Sequence, residues 1–165
     1  DEPLIHPDQI DQVAAFLMAH QAVPMATVMT RLTRQEDMTN PNVVKVVVDQ
    51  DGYALYFSRA SIPFNRQGAG SREQEVRYWK HIGLYGYQRH FLLRFAHLPQ
   101  TPLEQVEQLE QLRALEHGHQ IKVLETVHDT VGVDTADDLA RVETLLNGTI
   151  VPVNPKSKIQ NPKFQ

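Results

Sequence analysis

Val43-Val44-Lys45-Val46-Val47-Val48, then Asp51-Gly52, then Tyr53-Ala54-Leu55-Tyr56-Phe57-Ser58 is the stretch that decides the fold. The first run is rich in β-branched residues, the Asp-Gly pair marks a turn, and the second run resumes the strand pattern. This predicts a β-hairpin whose connection is somewhat longer than two residues. Working outward, Met25 to Met29 predicts a strand before it, and Trp79 to Tyr87 predicts another after it. Thr33 to Pro41 reads as a polar loop. Ser61 to Glu75, with Pro63, Gly68 and Gly70, reads as a long one.

Helices flank this β-rich centre. Pro7 to His20 carries Ile10, Val13, Ala14, Phe16 and Leu17 at helical spacing, and Pro7 suits a first turn. Phe91 to Ala96 predicts a short helix. Thr101-Pro102-Leu103-Glu104 has the spacing of a capping box with Pro at the first helical position. Leu103, Val106, Leu109, Leu112 and Leu115 then predict one continuous helix that stops at Gly118. Ile121 to Leu124 predicts a short strand. Thr135 opens a last helix, continued by Leu139, Val142, Leu145 and Leu146. Strands and helices alternating around an inner hairpin predict an α/β fold with a mixed sheet in one domain.

Composition narrows the function classes. The chain has 165 residues, with 20 Asp+Glu against 16 Lys+Arg and no cysteine. Disulfides, thiolate metal sites and cysteine nucleophiles are excluded. From Gly148 onward there are three lysines (Lys156, Lys158, Lys163) and no acid, so residues 1–147 hold 13 bases and 20 acids, a net charge of −7. An acidic body argues against nucleic-acid binding, which needs a basic face. Residues 148–165 read as a poorly ordered, solvated tail. No apolar run approaches the ~20 residues of a membrane helix, and no membrane partner is expected.

Phosphate-gripping glycine loops, nucleophile elbows and H-E-x-x-H are absent from the sequence. His117 and His119 flank Gly118 in the setting of a solvated helix cap, and His128-Asp129 reads as loop. Three patterns carry more chemistry. Asp1-Glu2-Pro3 is a carboxylate pair stopped by a proline. Asp134, in Gly132-Val133-Asp134-Thr135, stands between a short apolar stretch and a helix start; it is either a turn residue or a ligand carboxylate at a strand end. By alternation His81, Gly83, Tyr85 and Tyr87 share one strand face, suited either to a half-buried sheet surface or to a polar ligand.

Six motifs occur in order: Asp1-Glu2-Pro3-Leu4-Ile5; Asn40-Pro41-Asn42-Val43-Val44-Lys45-Val46-Val47; Tyr53 through Pro63; His81-Ile82-Gly83-Leu84-Tyr85-Gly86-Tyr87; Leu109-Glu110-Gln111-Leu112-Arg113; and Gly132-Val133-Asp134-Thr135. Together they resemble the 3-deoxy-manno-octulosonate cytidylyltransferase (CMP-KDO synthetase) family from Asp1 to about Leu146. The resemblance implies an incomplete nucleotide-diphospho-sugar-transferase-like, Rossmann-like α/β fold, with residues 1–147 as the C-terminal portion of the cytidylyltransferase domain. The family's opening strand and its basic, CTP-phosphate-gripping loop are not matched. The implied activity is transfer of CMP from CTP to the sugar acid KDO, releasing pyrophosphate, for lipopolysaccharide biosynthesis.

The resemblance also implies Mg²⁺ held by Asp1 and Asp134, both catalytic. It implies a sugar-acid pocket lined by Arg59, His81, Tyr85, Glu110 and Gln111, a homodimer, and a cytoplasmic location. A cation such as Arg59 suits a substrate carboxylate, and Glu110 and Gln111 suit sugar hydroxyls. One alternative is a truncated, non-catalytic sugar-acid-binding or dimerisation module of the same fold. A related enzyme for another acidic sugar, such as a sialic acid, fits the sugar-face residues less well.

Overall fold

The computed structural model describes residues 2–66, 77–133 and 136–148. Its first helix, α1 (Pro7–Ala19), starts at an N-cap histidine. Gln9 Oε1 accepts the His6 N–H at 2.9 Å, and His6 Nδ1 accepts the Asp8 N–H at 3.3 Å. β1 (Met25–Arg31) follows. Thr33 to Pro41 is not all loop: Gln35–Thr39 forms the short helix α2, with Glu36 and Asp37 at its positive end and Arg34 paired to Asp37 at 2.8 Å.

The hairpin forms as expected, from β2 (Lys45–Val48) and β3 (Ala54–Ser58), with Val46 opposite Phe57. Its connection runs over five residues. Asp49 Oδ1 accepts from the N–H groups of Asp51 and Tyr53, and Gly52 supplies the positive φ of 76° that the turn requires. Then come β4 (Trp79–Tyr87), α3 (Arg89–Phe95), α4 (Pro102–Glu107), α5 (Gln111–Glu116), β5 (Ile121–Glu125) and α6 (Ala136–Gly148).

The strands form one five-stranded sheet in the order β3-β2-β4-β1-β5. β1 lies antiparallel to β4 and parallel to β5, so the sheet is mixed. β1 is buried on both faces from Met25 to Thr30, as befits a strand covered on each side. On one face α1 brings Val13 and Leu17 against Ala26, Val28 and Ile82. Gly86 permits this approach, because a Cβ there would stand 2.5 Å from Val13 Cγ1. On the other face α3, α5 and the turn before α5 bring Phe91, Phe95, Leu112 and Leu109 against Met25, Met29, Val46 and Phe57. Among the described residues, β2 pairs with β4 only near Trp79 and Lys80.

The continuous helix expected from Leu103 to Gly118 is broken. Gln108 adopts a left-handed conformation (φ 52°) and separates α4 from α5. The Arg59 guanidinium takes the carbonyls that a continuous helix would use, Glu107 O at 2.8 Å from Nε and Gln108 O at 3.4 Å from Nη2. The break leaves Val106 82% exposed while Leu109 and Leu112 stay buried, so the leucine stripe does not lie along a single helix. The tail beyond Gly148 and the segment 67–76 lie outside the described residues. Among the described residues no helix is long and apolar enough to cross a membrane.

Candidate active site

The face that holds the site is set by an irregularity in β4. Thr27 pairs with Tyr85 but Val28 pairs with Ile82, so Gly83 and Leu84 are extra residues between them. Two extra residues preserve the alternation. His81, Tyr85 and Tyr87 therefore stay on the face of Met29, Thr27 and Met25, whereas Gly83 leaves the ladder. The Thr27 hydroxyl closes the irregularity by donating to Leu84 O at 2.7 Å.

His81 is 7% exposed, and its Nε2 lies 3.0 Å from Thr27 Oγ1. With the Thr27 proton on Leu84 O, His81 Nε2–H donates to Oγ1 and Nδ1 keeps its lone pair. The ring meets Phe57 edge-on at 5.0 Å and Tyr85 at 5.3 Å. Burial pushes the imidazole down to about 3, so the ring is neutral at physiological pH. Tyr85 and Tyr87 continue the row, 6.2 Å apart. Burial raises both phenols, Tyr85 well above the usual 10 and Tyr87 to about 12, with Glu110 adding to each shift.

Glu110 and Gln111 enter the site at the start of α5. Glu110 is largely exposed, 3.4 Å from Arg113 Nη2. Gln111 is 5% exposed, and its Nε2 has no hydrogen-bond partner among the described residues. A buried amide donor left unpaired costs about 1–3 kcal/mol, which a sugar hydroxyl or carboxylate can restore. The structure thus brings His81, Tyr85, Glu110 and Gln111 to one region, joined by Tyr87.

Arg59 is placed differently. Its guanidinium donates to three main-chain carbonyls, those of Glu107, Pro41 (3.0 Å) and Gln108, and its own N–H donates to Glu107 Oε2 at 2.9 Å. It fastens the α4–α5 junction that leads into Glu110 and Gln111. Glu107 also accepts from Ser58 Oγ at 2.6 Å. Behind them Lys45, wholly buried, donates to the carbonyls of Asn40, Val43 and Arg59 at 2.8, 2.5 and 2.6 Å. Burial lowers its pKa, and the nearby Glu107 opposes that shift.

Asp1 and Asp134, the expected metal ligands, lie outside the described residues. Their described neighbours both reach β4. Glu2 Oε1 stands 3.5 Å from the Gly83 N–H, while its buried Oε2 has no partner among the described residues. Lys80 Nζ holds Asp129 Oδ1 at 2.9 Å and Thr130 O at 2.5 Å, just upstream of Gly132-Val133. The two segments are thus anchored three positions apart on one strand. Sequence reasoning missed Thr27, Glu107 and Lys45; a lone threonine in Met25-Ala26-Thr27-Val28-Met29 and a lysine inside a valine run were the available signals.

Comparison with known proteins gives the family and the fold. The chain is 50% identical over 152 residues to the 3-deoxy-manno-octulosonate cytidylyltransferase of Syntrophotalea carbinolica, covering 90% of this chain and 61% of that protein. It is 49% identical over 148 residues to the enzyme of that name from Geobacter sulfurreducens, covering 86% of this chain and 59% of the relative. The chain therefore spans about 60% of the length of the curated relatives it matches. Its fold matches a solved CMP:2-keto-3-deoxy-manno-octonic acid synthetase complexed with CTP, with a TM-score of 0.78 and 37% identity over 90% of this chain and 59% of that one. That match confirms a nucleotide-diphospho-sugar-transferase-like α/β fold with a mixed sheet and an inner hairpin. The sequence pattern of the cytidylyltransferases runs through residues 1–121, from the carboxylates at the start through the hairpin and the aromatic strand to the α4–α5 pair, and the chain belongs to that family.

Proposed function

We propose that this chain forms the sugar-acid-binding portion of a cytidylyltransferase that transfers CMP from CTP to KDO, giving CMP-KDO and pyrophosphate. The observation that carries it is the buried Gln111 Nε2, without a partner among the described residues, beside Glu110 and the His81–Tyr85–Tyr87 face, in a chain half identical to enzymes of that name. Gln111 supplies a donor and Glu110 an acceptor, a pair suited to a polyhydroxylated acid. His81, neutral and fixed by Thr27, offers an acceptor at Nδ1. Arg59, Glu107 and Lys45 hold the α4–α5 junction in place.

The donor set near Asp1 fits a hard divalent cation: carboxylate oxygens, with Glu2 Oε2 buried and without a partner among the described residues. Asp1 and Asp134 are the residues we assign to Mg²⁺, which when bound would polarise the α-phosphate of CTP. The anchoring of their flanks to Gly83 and Lys80 supports bringing the two carboxylates together. We assign the activity to the cytoplasm and to a homodimer, as the resemblance implies.

Calorimetry tests the reading. KDO binds the chain and Gln111→Leu weakens that binding; a chain that does not bind KDO, or binds another sugar acid equally well, overturns it. Affinity for KDO without affinity for CTP would favour a non-catalytic sugar-acid module, and pyrophosphate release from CTP, KDO and Mg²⁺ would establish the full reaction.

A further inference from the structure

Away from the sugar-acid face, three side chains from distant parts of the sequence converge. His6 Nδ1 and Asp8 Oδ2 are 3.4 Å apart, and His128 Nε2 lies 3.3 Å from the same Asp8 oxygen. All three ligand atoms lie within 4.8 Å of one another. We propose that His6, Asp8 and His128 form a binding site for a borderline transition-metal ion such as Zn²⁺ or Ni²⁺, joining the start of α1 to the loop after β5.

Three arguments support it. The first is distance. A tetrahedral ion with bonds of about 2.1 Å to nitrogen and oxygen has ligand–ligand edges of about 3.4 Å. The two His–Asp separations match that edge. The second is electronic. His6 Nδ1 is the unprotonated ring nitrogen, since it accepts the Asp8 N–H at 3.3 Å, and a metal ion would take that lone pair in place of this long capping bond. The Asp8 carboxylate, at hydrogen-bond distance (3.3 Å) from His128 Nε2, supplies the negative charge that a cation shared with His128 would meet. The third is preorganisation. Gln9 Nε2 donates to His128 O at 3.2 Å, Gln12 Nε2 donates to Glu125 O at 2.9 Å, and the His128 N–H donates to Thr126 Oγ1 at 3.2 Å. The loop that presents His128 is thus fastened to the helix that presents Asp8.

The two imidazole rings are stacked, 3.8 Å between centroids and 6° from parallel. A metal–imidazole bond lies in the plane of its ring, so a shared ion requires the two rings to turn out of parallel toward the carboxylate. Both side chains reach the surface, 46% and 32% exposed, which leaves room for that movement. Two imidazoles and one carboxylate select zinc, nickel or cobalt over magnesium. This site is therefore distinct in chemistry from the all-oxygen site assigned to Asp1 and Asp134.

Calorimetric titration with ZnCl₂, NiCl₂ and MgCl₂ tests it on the chain as it stands. One Zn²⁺ or Ni²⁺ binds per chain, Mg²⁺ does not compete, and amide exchange slows across residues 125–130. His6→Asn, which keeps an N-cap residue, and His128→Asn each weaken Zn²⁺ by about tenfold or more, with unchanged circular dichroism. Zn²⁺ affinity unchanged in the double variant, or Mg²⁺ displacing Zn²⁺ at equal concentration, overturns the proposal; so does a titration with no Zn²⁺ bound.

Discussion

His81 makes folding depend on pH in a way that can be worked through. The buried ring stays neutral down to about pH 3, whereas the unfolded chain takes up a proton near 6.5. Between those values the unfolded state binds more protons, so acid pulls the equilibrium toward it. The contribution is complete above pH 6.5 and is lost as pH falls toward 3. Its slope is about 1.4 kcal/mol per pH unit, so moving from about pH 6.5 to about pH 5 removes roughly 2 kcal/mol. That is a large share of a net stability of about 5–15 kcal/mol. Urea unfolding of the native chain and His81→Asn, at about pH 7 and about pH 5, isolates the effect. The other histidines and the carboxylates contribute equally to both proteins and cancel. The native chain loses roughly 2 kcal/mol more than the variant over this interval. Equal losses in the two proteins, or a His81 ring signal that titrates near 6.5 by NMR, would refute the reasoning.

Other perturbations separate packing from recognition. Gly86→Ala pushes a methyl group into Val13 and Leu17 and lowers stability by about 1–3 kcal/mol, seen as a lower urea midpoint. Arg113→Met leaves Glu104 buried without the guanidinium that holds its pKa down, and costs about 3 kcal/mol at neutral pH. In the native chain the Glu104 contribution is present above its ordinary 4.5 and is lost as pH falls through its lowered value, so the variant's deficit shrinks in acid. Gln111→Leu removes a buried donor that has no partner among the described residues: the melting temperature holds or rises while KDO affinity falls by about tenfold.

Much of the fold was legible because its signals are local. The valine run, the Asp-Gly turn and the aromatic strand each declare themselves within ten residues, and Thr101 to Glu104 marked a helix start that forms with Glu104 accepting the Thr101 N–H. The α4–α5 break was not legible, because its cause is Arg59, some fifty residues away in the chain. The same holds for Lys45. A lysine between valines reads as the solvent side of a strand, and only the fold supplies the three carbonyls that let it be buried. In the candidate site, His81, Tyr85 and Tyr87 were correctly placed on one face by alternation. Gly83 was not, since a sheet irregularity is a property of two strands.

The placement of the cations explains why this acidic chain holds its loops so firmly. Lys45 takes the carbonyls of Asn40, Val43 and Arg59; Arg59 takes those of Pro41, Glu107 and Gln108; Lys80 takes that of Thr130; Lys122 takes that of Asp51. In each case a positive side chain from a strand or its end donates to main-chain oxygens of a turn or loop. Charge-assisted bonds of this kind are stronger than neutral ones, and they fix loop position rather than sheet register. Two of them act beside the candidate site: Arg59 on the α4–α5 junction just before Glu110 and Gln111, and Lys80 on Thr130, two residues before Gly132. Replacing either with methionine therefore alters the approach to Glu110–Gln111 or to Gly132 while leaving the sheet paired. The two roles can be read apart: a substrate contact at Arg59 is lost in Arg59→Lys as a fall in KDO affinity alone, whereas a clip to the α4–α5 junction is lost as faster amide exchange at residues 107–111 before any substrate is added.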